Sequence, residues 1–317
     1  AAVFVNATLA FGVGAVSMTP DTPLLFFWIL ALAALARFMA SRNGAWFLGV
    51  GACAGLAMTS KYTALFLGAS VAVWLFVVPS MRAWLLRPWP WLAGMIALAI
   101  FAPVIAWNAT HGWVGFIKQG GRLFEFHPGR AAYFLMELIL GQLGMMTPLL
   151  FALACAGGWM AIRRWRDPAM ALLLFLTVLP LPVFLAHTLS DRVQGNWPAI
   201  IYPSAMLLAT LAWPRLHRPA IVLGGVLIVP IYLQAAWPVL PIPPRLDPSM
   251  KRLAGWEQLA ADLDTIRRAQ DARFIVTDSY GIAAMLAWHN PSGTPIIGAE
   301  RRWAAFDLPR PDLSGQA

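Results

Sequence analysis

Long apolar runs, separated by short polar breaks, fill the first 240 residues of the chain. Each run has about 16 to 22 residues, close to the length that an α-helix needs to cross the hydrocarbon core of a bilayer. The runs lie at 1–17, 22–40, 44–59, 62–78, 89–107, 131–153, 168–187, 198–213 and 219–237. The pattern predicts a mainly α-helical, polytopic membrane protein with about nine spans, the first of them incomplete.

The pattern changes after residue 240, where charged residues alternate with short apolar clusters, as in a water-exposed domain. Apolar residues at helical spacing indicate helices, and short β-branched runs bounded by turn residues indicate strands. The predicted elements are a helix containing Trp256, Leu259, Leu263 and Ile266, a strand at 274–277, a helix at 282–288 and a strand at 295–298. We therefore divide the chain into a transmembrane helical domain, 1–240, and a small C-terminal α/β domain, 241–317.

Arginine-rich breaks mark one side of the predicted bundle. They lie at 37–43, 82–88, 163–167 and 215–218 and alternate with breaks that contain few arginines. Because Lys and Arg are enriched in cytoplasmic loops, this side is predicted to be cytoplasmic. The breaks that contain Asp21, Lys61, His111 and Arg192 then share the opposite face with the C-terminal domain, and in the inner membrane of a bacterium that face is periplasmic.

Composition agrees with a membrane protein. Hydrophobic residues make up 60% of the 317 residues and charged residues only 12%, whereas soluble proteins have about 25% charged residues. The net charge of +9 would suggest a nucleic-acid partner in a soluble protein. Here most basic residues before the C-terminal domain lie in the breaks that set membrane orientation, so the lipid bilayer is the expected partner and nucleic acid is not.

The most informative polar break is the hinge Met18-Thr19-Pro20-Asp21-Thr22-Pro23, which places one carboxylate between two apolar runs. An acid at the edge of a membrane bundle indicates a functional site, because burying its charge unpaired is costly. A structural alternative is that Asp21 caps the helix that begins near Pro23, since Asp is a favoured N-cap and Pro is favoured in the first turn. The sequence leaves both interpretations open.

Cations and aromatic residues at other breaks on the same face are also candidates. Lys61 and Arg192 could hold a phosphate through charge-assisted hydrogen bonds, or could simply extend toward the membrane surface. Trp107, Trp113, Trp197 and Tyr202 could stack on a sugar ring or belong to the aromatic belt of the membrane interface. The sequence has no phosphate-binding Gly-rich loop, no serine-hydrolase elbow and no Cys/His cluster with metal spacing, so soluble nucleotide chemistry is not expected.

Several short motifs, taken in order along the chain, resemble the bacterial glycosyltransferase family 39 proteins of the membrane-embedded GT-C class. Those proteins are similar to the protein O-mannosyltransferases and the lipid A aminoarabinose transferases. The motifs before the C-terminal domain are Thr19-Pro20-Asp21-Thr22-Pro23-Leu24, Ser60-Lys61-Tyr62-Thr63, Trp107-Asn108, His111-Gly112-Trp113 and Asn196-Trp197-Pro198. Those within it are Gly255-Trp256, Asp278-Ser279-Tyr280, Arg301-Arg302 and Phe306-Asp307-Leu308.

The resemblance implies a hexosyl or pentosyl transferase that moves a sugar, with inversion, from a polyprenyl-phosphate-linked donor to a periplasmic lipid, glycan or protein. It implies donor-binding roles for Lys61, Tyr62, Arg192, Asn196 and Trp197. The residues that it implies for the acceptor or sugar are Asn108, His111, Trp113, Tyr202, Tyr280, Arg301 and Arg302. The resemblance implies no definite cofactor and leaves open whether a divalent cation is required.

The resemblance also exposes a departure from the family. Its members carry an acidic motif in the first periplasmic loop, which is thought to supply the catalytic base, and that loop would precede Ala1. The sequence begins at Ala1, without an initiator Met and without a basic N-terminal segment. We therefore expect the chain to begin partway through a larger protein. Asp21 matches a second acidic position of the family and is therefore interpreted as an assisting acid.

Two alternatives to a complete transferase remain open from the sequence. The first is a transporter or flippase of polyprenyl-linked substrates, which would also need cations and aromatic residues near the membrane. Transporters commonly contain inverted repeats, and this sequence shows no convincing internal repeat. The second is an inactive fragment that lacks the first catalytic loop.

Overall fold

The computed structural model describes residues 1–14, 19–121, 128–237, 240–243, 246–247, 255–290 and 292–300. The chain forms two compact units, which divide between Tyr232 and Leu233, eight residues before the predicted boundary at residue 240. The first unit is helical. The helices that begin within it are α1 (Ala2–Asn6), α2 (Leu9–Gly12), α3 (Asp21–Ser41), α4 (Trp46–Ser60), α5 (Leu65–Val77), α6 (Pro88–Thr110), α7 (Val114–Gly121), α8 (Pro128–Met146), α9 (Pro148–Arg163), α10 (Pro168–Val178), α11 (Leu181–His187), α12 (Tyr202–Ala209) and α13 (His217–Ala236).

Four helical stretches among the described residues are long and apolar enough to cross a membrane. They are Asp21–Ser41, Pro88–Thr110, Pro168–His187 and Pro214–Ala236. Three apolar helices are shorter, namely Trp46–Ser60, Tyr62–Val77 and Trp197–Ala209. The chain is therefore a mainly helical membrane protein, as predicted, while the count of about nine spans stays a prediction.

The prediction of one continuous span at 131–153 is wrong, because α8 and α9 meet there at an angle of 103°. The break lies at Thr147, which has a φ of 69°, and at Pro148, the first residue of α9. Proline lacks an amide hydrogen and its ring clashes with the preceding helical turn, so it readily ends a helix when it is placed inside an apolar run. The pair is a broken span or a re-entrant segment rather than a straight helix.

Close packing of α4 against α6 depends on two glycines one helical turn apart. A Cβ atom on Gly51 would clash with the backbone of Ala93, and one on Gly55 would lie 2.8 Å from the Cβ atom of Ile100. Small residues at this spacing let two apolar helices approach closely, as is common in membranes. Helix α4 also packs along α3, to which it is joined by the short connection 42–45.

The interior of the first unit is aromatic and is tied together by a few hydrogen bonds. Trp28 and Trp74 are fully buried, and the ring of Phe38 packs edge-on against Trp74 and Trp84. The indole Nε1 of Trp74 donates to the carbonyl oxygen of Pro168 at 2.8 Å. Helix α5 is thereby joined to α10 in a setting where unpaired polar groups would be costly.

The second unit contains a βαβ arrangement preceded by a helix. Its elements are α14 (Trp256–Ala269), β1 (Ile275–Thr277), α15 (Tyr280–Trp288) and β2 (Ile296–Gly298). These helices and strands lie where the sequence pattern predicts them. The two strands pair in parallel, with Ile275 opposite Ile296, and α15 makes the crossover that a parallel pair requires.

We expect Gly51→Ala to destabilise the protein by about 1 to 3 kcal/mol, because the added methyl group must push α4 away from the α6 backbone. Gly49→Ala is the matched control, since its Cβ atom would lie 3.9 Å from that of Ala34, an ordinary contact, on the same helix. The measurement is the melting temperature of the detergent-purified protein. Equal melting temperatures for the two variants would contradict the tight α4–α6 contact.

Candidate functional site

The predicted residues Asp21, Lys61 and Asn196 form a polar cluster at one end of the helical unit. Lys61 Nζ donates to Asp21 Oδ1 at 2.6 Å, and Asn196 Nδ2 donates to Asp21 Oδ2 at 2.5 Å. The side chain of Asp21 is only 12% exposed and that of Lys61 is 23% exposed. Both carboxylate oxygens are therefore bound by side chains in a partly desolvated setting, where such bonds are stronger than in water.

The local folds explain why these three residues meet. Asp21 begins α3 and Lys61 directly follows α4, and the short turn between these packed helices places the start of one beside the end of the other. Asn196 comes from a distant loop and immediately precedes a 3₁₀ turn at Trp197–Ile201. The cluster thus joins three segments that are separated by up to 175 residues.

The structure favours a charged site at Asp21 over a helix cap. Pro20 occupies the N-cap position of α3, and Asp21 is the first helical residue. The amide N–H of Asp21 donates to Thr19 Oγ1 at 3.3 Å, while its carboxylate accepts hydrogen bonds from Lys61 and Asn196. Met18, at the start of the predicted hinge, lies outside the described residues.

The ring of Trp197 lies beside the cluster, and the ring of His187 packs against Trp197. The ring centroid of Trp197 lies 6.0 Å from Lys61 Nζ, within the range of a cation–π contact. The His187 ring lies 5.2 Å from that of Trp197 and is 95% buried at the end of α11. His187 is not among the residues predicted from the sequence, although it lies at the end of an apolar run just before the 190–197 break, where a functional polar residue could be expected.

Arg192 pairs with an acid that the sequence analysis missed. Its guanidinium Nη2 forms an ion pair with Glu137 Oε1 on α8, and its side chain is 60% exposed. Glu137 lies within the apolar run 131–153, and a carboxylate in such a run is itself a sign of function or of a charge partner. The structure therefore shows Arg192 anchoring the loop before Asn196 to α8.

Gln142 on α8 connects this loop to the core. Its Nε2 donates to the carbonyl oxygen of Gly195 at 2.9 Å, and its Oε1 accepts a 2.7 Å hydrogen bond from the hydroxyl of Tyr202. Gln142 and Tyr202 are both buried. The two hydrogen bonds fix the amide orientation of Gln142 and hold the residue that immediately precedes Asn196.

The prediction that Tyr202 contacts a sugar does not fit its position. Tyr202 is fully buried, its ring stacks on Phe11 at 6.3 Å, and its hydroxyl is used by Gln142. A ring enclosed in this way offers no free face to a ligand. The polar tip of a tyrosine near the end of an apolar run suggested the interface, whereas the helices that pack around it place it in the core.

The predicted sugar contact of Asn108 is also unsupported by its surroundings. Asn108 is fully buried; its Nδ2 donates to Val104 O at 2.9 Å and to the Tyr62 hydroxyl at 3.3 Å, and its Oδ1 accepts from Gly115 N at 3.0 Å. These bonds fix the turn between α6 and α7. The ring of Tyr62 in turn stacks on Phe116 of α7 at 5.0 Å.

The remaining predicted residues are more exposed or lie elsewhere. His111 stacks on Trp107 at 4.2 Å, and Trp113 is 45% exposed, so both keep surface that a ligand could reach. Tyr280 is an exposed residue of the second unit, and Arg301 and Arg302 lie outside the described residues. Within the described part of the chain, no three His, Cys, Asp or Glu side chains are grouped as metal ligands would be.

Comparisons with known proteins point to the glycosyltransferases that the sequence motifs resemble. Residues 1–107 match the family described as dolichyl-phosphate-mannose-protein mannosyltransferase. The lipid A galacturonosyltransferase RgtD of Rhizobium johnstonii is 25% identical over 278 residues, which are 86% of this chain and 58% of that protein. The chain thus spans less than two thirds of the length of this curated relative. No solved structure matches the chain significantly.

The family match contains both Asp21 and Lys61, the two residues that form the ion pair, and the relative extends the similarity over most of the chain. Together the two comparisons confirm the resemblance that the sequence motifs indicate, which is to the glycosyltransferase family 39 proteins of the GT-C class.

Proposed function

We propose that the protein is a membrane glycosyltransferase that moves a sugar from a polyprenyl-phosphate-linked donor to a periplasmic acceptor, with inversion at the anomeric carbon. The observation that carries this proposal is the partly buried Asp21–Lys61–Asn196 cluster beside Trp197, at the end of apolar helices. The description of the matching family names a lipid-phosphate-linked sugar, and the name of the relative includes lipid A as the acceptor. Both descriptions agree with a donor and an acceptor that meet at a membrane surface.

Lys61 is the group that we assign to the donor phosphate. An ammonium group has three N–H donors, and Asp21 uses one of them at 2.6 Å. The two others can meet the phosphate oxygens as negative charge develops on the leaving group. A fixed cation in a partly dry site stabilises such charge without having to reorganise during the reaction.

Asp21 has the role of an orienting acid in this proposal. A general base needs a carboxylate oxygen that can reach the proton it removes. Both oxygens of Asp21 already accept hydrogen bonds from Lys61 and Asn196. Such a carboxylate is better suited to hold Lys61 in place than to take the proton of the acceptor hydroxyl.

Trp197 supplies the apolar side of the proposed donor site. Its ring lies against both Lys61 and His187, and the ring is only partly buried. An aromatic face next to a phosphate-binding cation suits a sugar ring or the first isoprene unit of the donor. We place the donor phosphate between Lys61 and the loop that carries Asn196.

The first test separates a transferase from a flippase. The protein expressed from its natural gene is reconstituted in liposomes with a radiolabelled polyprenyl-phosphate sugar and a membrane extract as acceptor. We expect labelled sugar to move to the acceptor, and Lys61→Met to reduce the rate about ten- to a hundred-fold, as for loss of a charge-assisted bond made in the transition state. Lys118→Met, at an exposed position of α7, is the control for loss of a lysine.

Movement of the donor across the bilayer without consumption would instead indicate a flippase. Full transfer activity in Lys61→Met would still agree with a transferase, but it would contradict the role assigned to Lys61.

The second test asks whether the charge of Asp21 matters. Asp21→Asn keeps the shape of the side chain but removes the charge that pairs with Lys61, so we expect a folded protein with a lowered melting temperature and transfer activity lower by about a hundred-fold, as for other preorganised polar groups. Asp167→Asn is the matched control, because Asp167 caps α10 through Ala169 N and Met170 N, and Asn caps a helix about as well as Asp. Near-normal transfer by Asp21→Asn would reduce Asp21 to a structural role.

The third test concerns orientation, because the proposal requires the cluster to face the periplasm. The arginine-rich breaks at 163–167 and 215–218 are expected in the cytoplasm, and the second unit in the periplasm. Single cysteines are introduced near Arg164 or at Ser292, after replacement of Cys53 and Cys155, and intact cells are treated with an impermeant thiol reagent. Labelling at position 164 but not at position 292 would show that the orientation is the opposite of the one predicted.

A further inference from the structure

An open apolar groove, called the α9–α12 groove below, lies between α9 and residues 211–213, which follow α12. Its volume is about 760 Å³, within the range of about 300 to 1,000 Å³ that is typical of ligand sites. The residues that line it include Phe151, Cys155, Trp159, Leu211 and Trp213. The last four of these have exposed side chains, so the groove opens on the outer surface of the helical unit.

Three cationic side chains, Arg163, Arg164 and Arg166, lie at the end of α9, and the first of them contacts a residue that lines this groove. The guanidinium carbon of Arg163 is 5.0 Å from the ring centroid of Trp159, and Arg164 and Arg166 follow on the exposed turn after α9. The ion pairs found among the described residues involve Lys61, Arg192, Arg267 and Arg268, and none involves these three arginines.

Asp167, the acid nearest to these arginines in sequence, caps a helix. Asp167 Oδ1 accepts hydrogen bonds from the amides of Ala169 and Met170 at 2.9 and 3.0 Å and so caps α10. Since none of the ion pairs among the described residues uses these arginines either, their guanidinium groups remain available to an anion.

We propose that this groove binds an anionic phospholipid, with its phosphate at Arg163 and one acyl chain along the groove. A guanidinium group can donate two parallel hydrogen bonds to a phosphate, and Trp residues favour the level of the lipid headgroups. Basic pockets between membrane helices are known to hold anionic headgroups. The site is built from α9 and residues 211–213, uses no residue of the Asp21 cluster and does not depend on the proposed function.

Two arginines on the same predicted side, Arg82 and Arg37, lack this combination of groove and available charge. Arg82 donates to the carbonyl oxygens of Phe76 and Val77 and so caps α5. Arg37 is exposed on α3 and lines neither this groove nor the apolar pocket beside α4. The proposal is therefore specific to the α9–α12 groove and does not extend to every basic residue near the membrane.

The test uses the full chain in phosphatidylcholine nanodiscs that contain a small fraction of a photoactivatable lipid with a diazirine in its acyl chain. The probe is either phosphatidylglycerol or phosphatidylcholine with the same chains, and cross-linked peptides are identified by mass spectrometry. We expect phosphatidylglycerol to label peptides that contain α9 or residues 211–213 at least five-fold more than phosphatidylcholine. Equal labelling by the two lipids, or labelling spread evenly over all exposed helices, would overturn the proposal.

Two variants act from opposite ends of the groove. Arg163→Gln removes the charge and should reduce phosphatidylglycerol labelling about five-fold, the usual effect of one basic residue near anionic lipid. Cys155→Phe fills the groove at an exposed position and should reduce labelling without removing charge. Arg37→Gln is the matched control and should label as the unchanged protein does.

Melting temperatures identify a variant that fails to fold, and the comparison of headgroups on the unchanged protein needs no variant. Two competitors distinguish other sources of the phosphate. Inorganic phosphate should not displace the lipid, because it has no chain for the groove. Displacement by undecaprenyl phosphate at concentrations at which phosphatidylglycerol does not compete would assign the groove to a polyprenyl lipid and overturn the proposal.

Discussion

A carboxylate at the end of an apolar bundle must be paired, and this requirement organises the candidate site. Loss of one partner from a buried ion pair typically costs about 3 to 5 kcal/mol, because the remaining charge is left without compensation. Asp21 is mostly but not fully buried, so its dependence on Lys61 and Asn196 is somewhat weaker than that limit. The pairing still fixes the start of α3, the end of α4 and the loop before α12 relative to one another.

The loop that delivers Asn196 is held by neutral and charged contacts at several points. Gln142 binds the Gly195 carbonyl group and is itself oriented by the buried Tyr202, while Glu137 binds Arg192. Both Glu137 and Gln142 lie on α8, just before the bend at Thr147. A straight helix over 131–153 would carry the residues after Met146 in a different direction. The bend, which the sequence did not predict, therefore contributes to the arrangement of the helices at this end of the unit.

The sequence predicted those features that depend on composition and on local pattern. Apolar runs located the helices, the strands of the second unit lie where β-branched clusters indicated them, and alternating polar breaks correctly grouped Asp21, Lys61 and Asn196. It could not predict burial at Asn108 and Tyr202, because that depends on which helices pack around each residue. Glu137 was missed because one charge hardly changes the average hydropathy of a long run.

The charge balance of the cluster indicates how it could bind a phosphate. The pairs Lys61–Asp21 and Arg192–Glu137 are each formally neutral, so these four groups provide little net attraction for an anion. Any preference for phosphate must then come from N–H groups held in fixed directions, since the interaction of a dipole or a paired ion depends strongly on orientation. This dependence explains why buried neutral hydrogen bonds surround the pairs: Gln142 and Tyr202 add no charge, but they fix the loop whose Asn196 holds Asp21, which in turn orients Lys61. Rigidity rather than net charge is therefore the property on which binding at this site would rest.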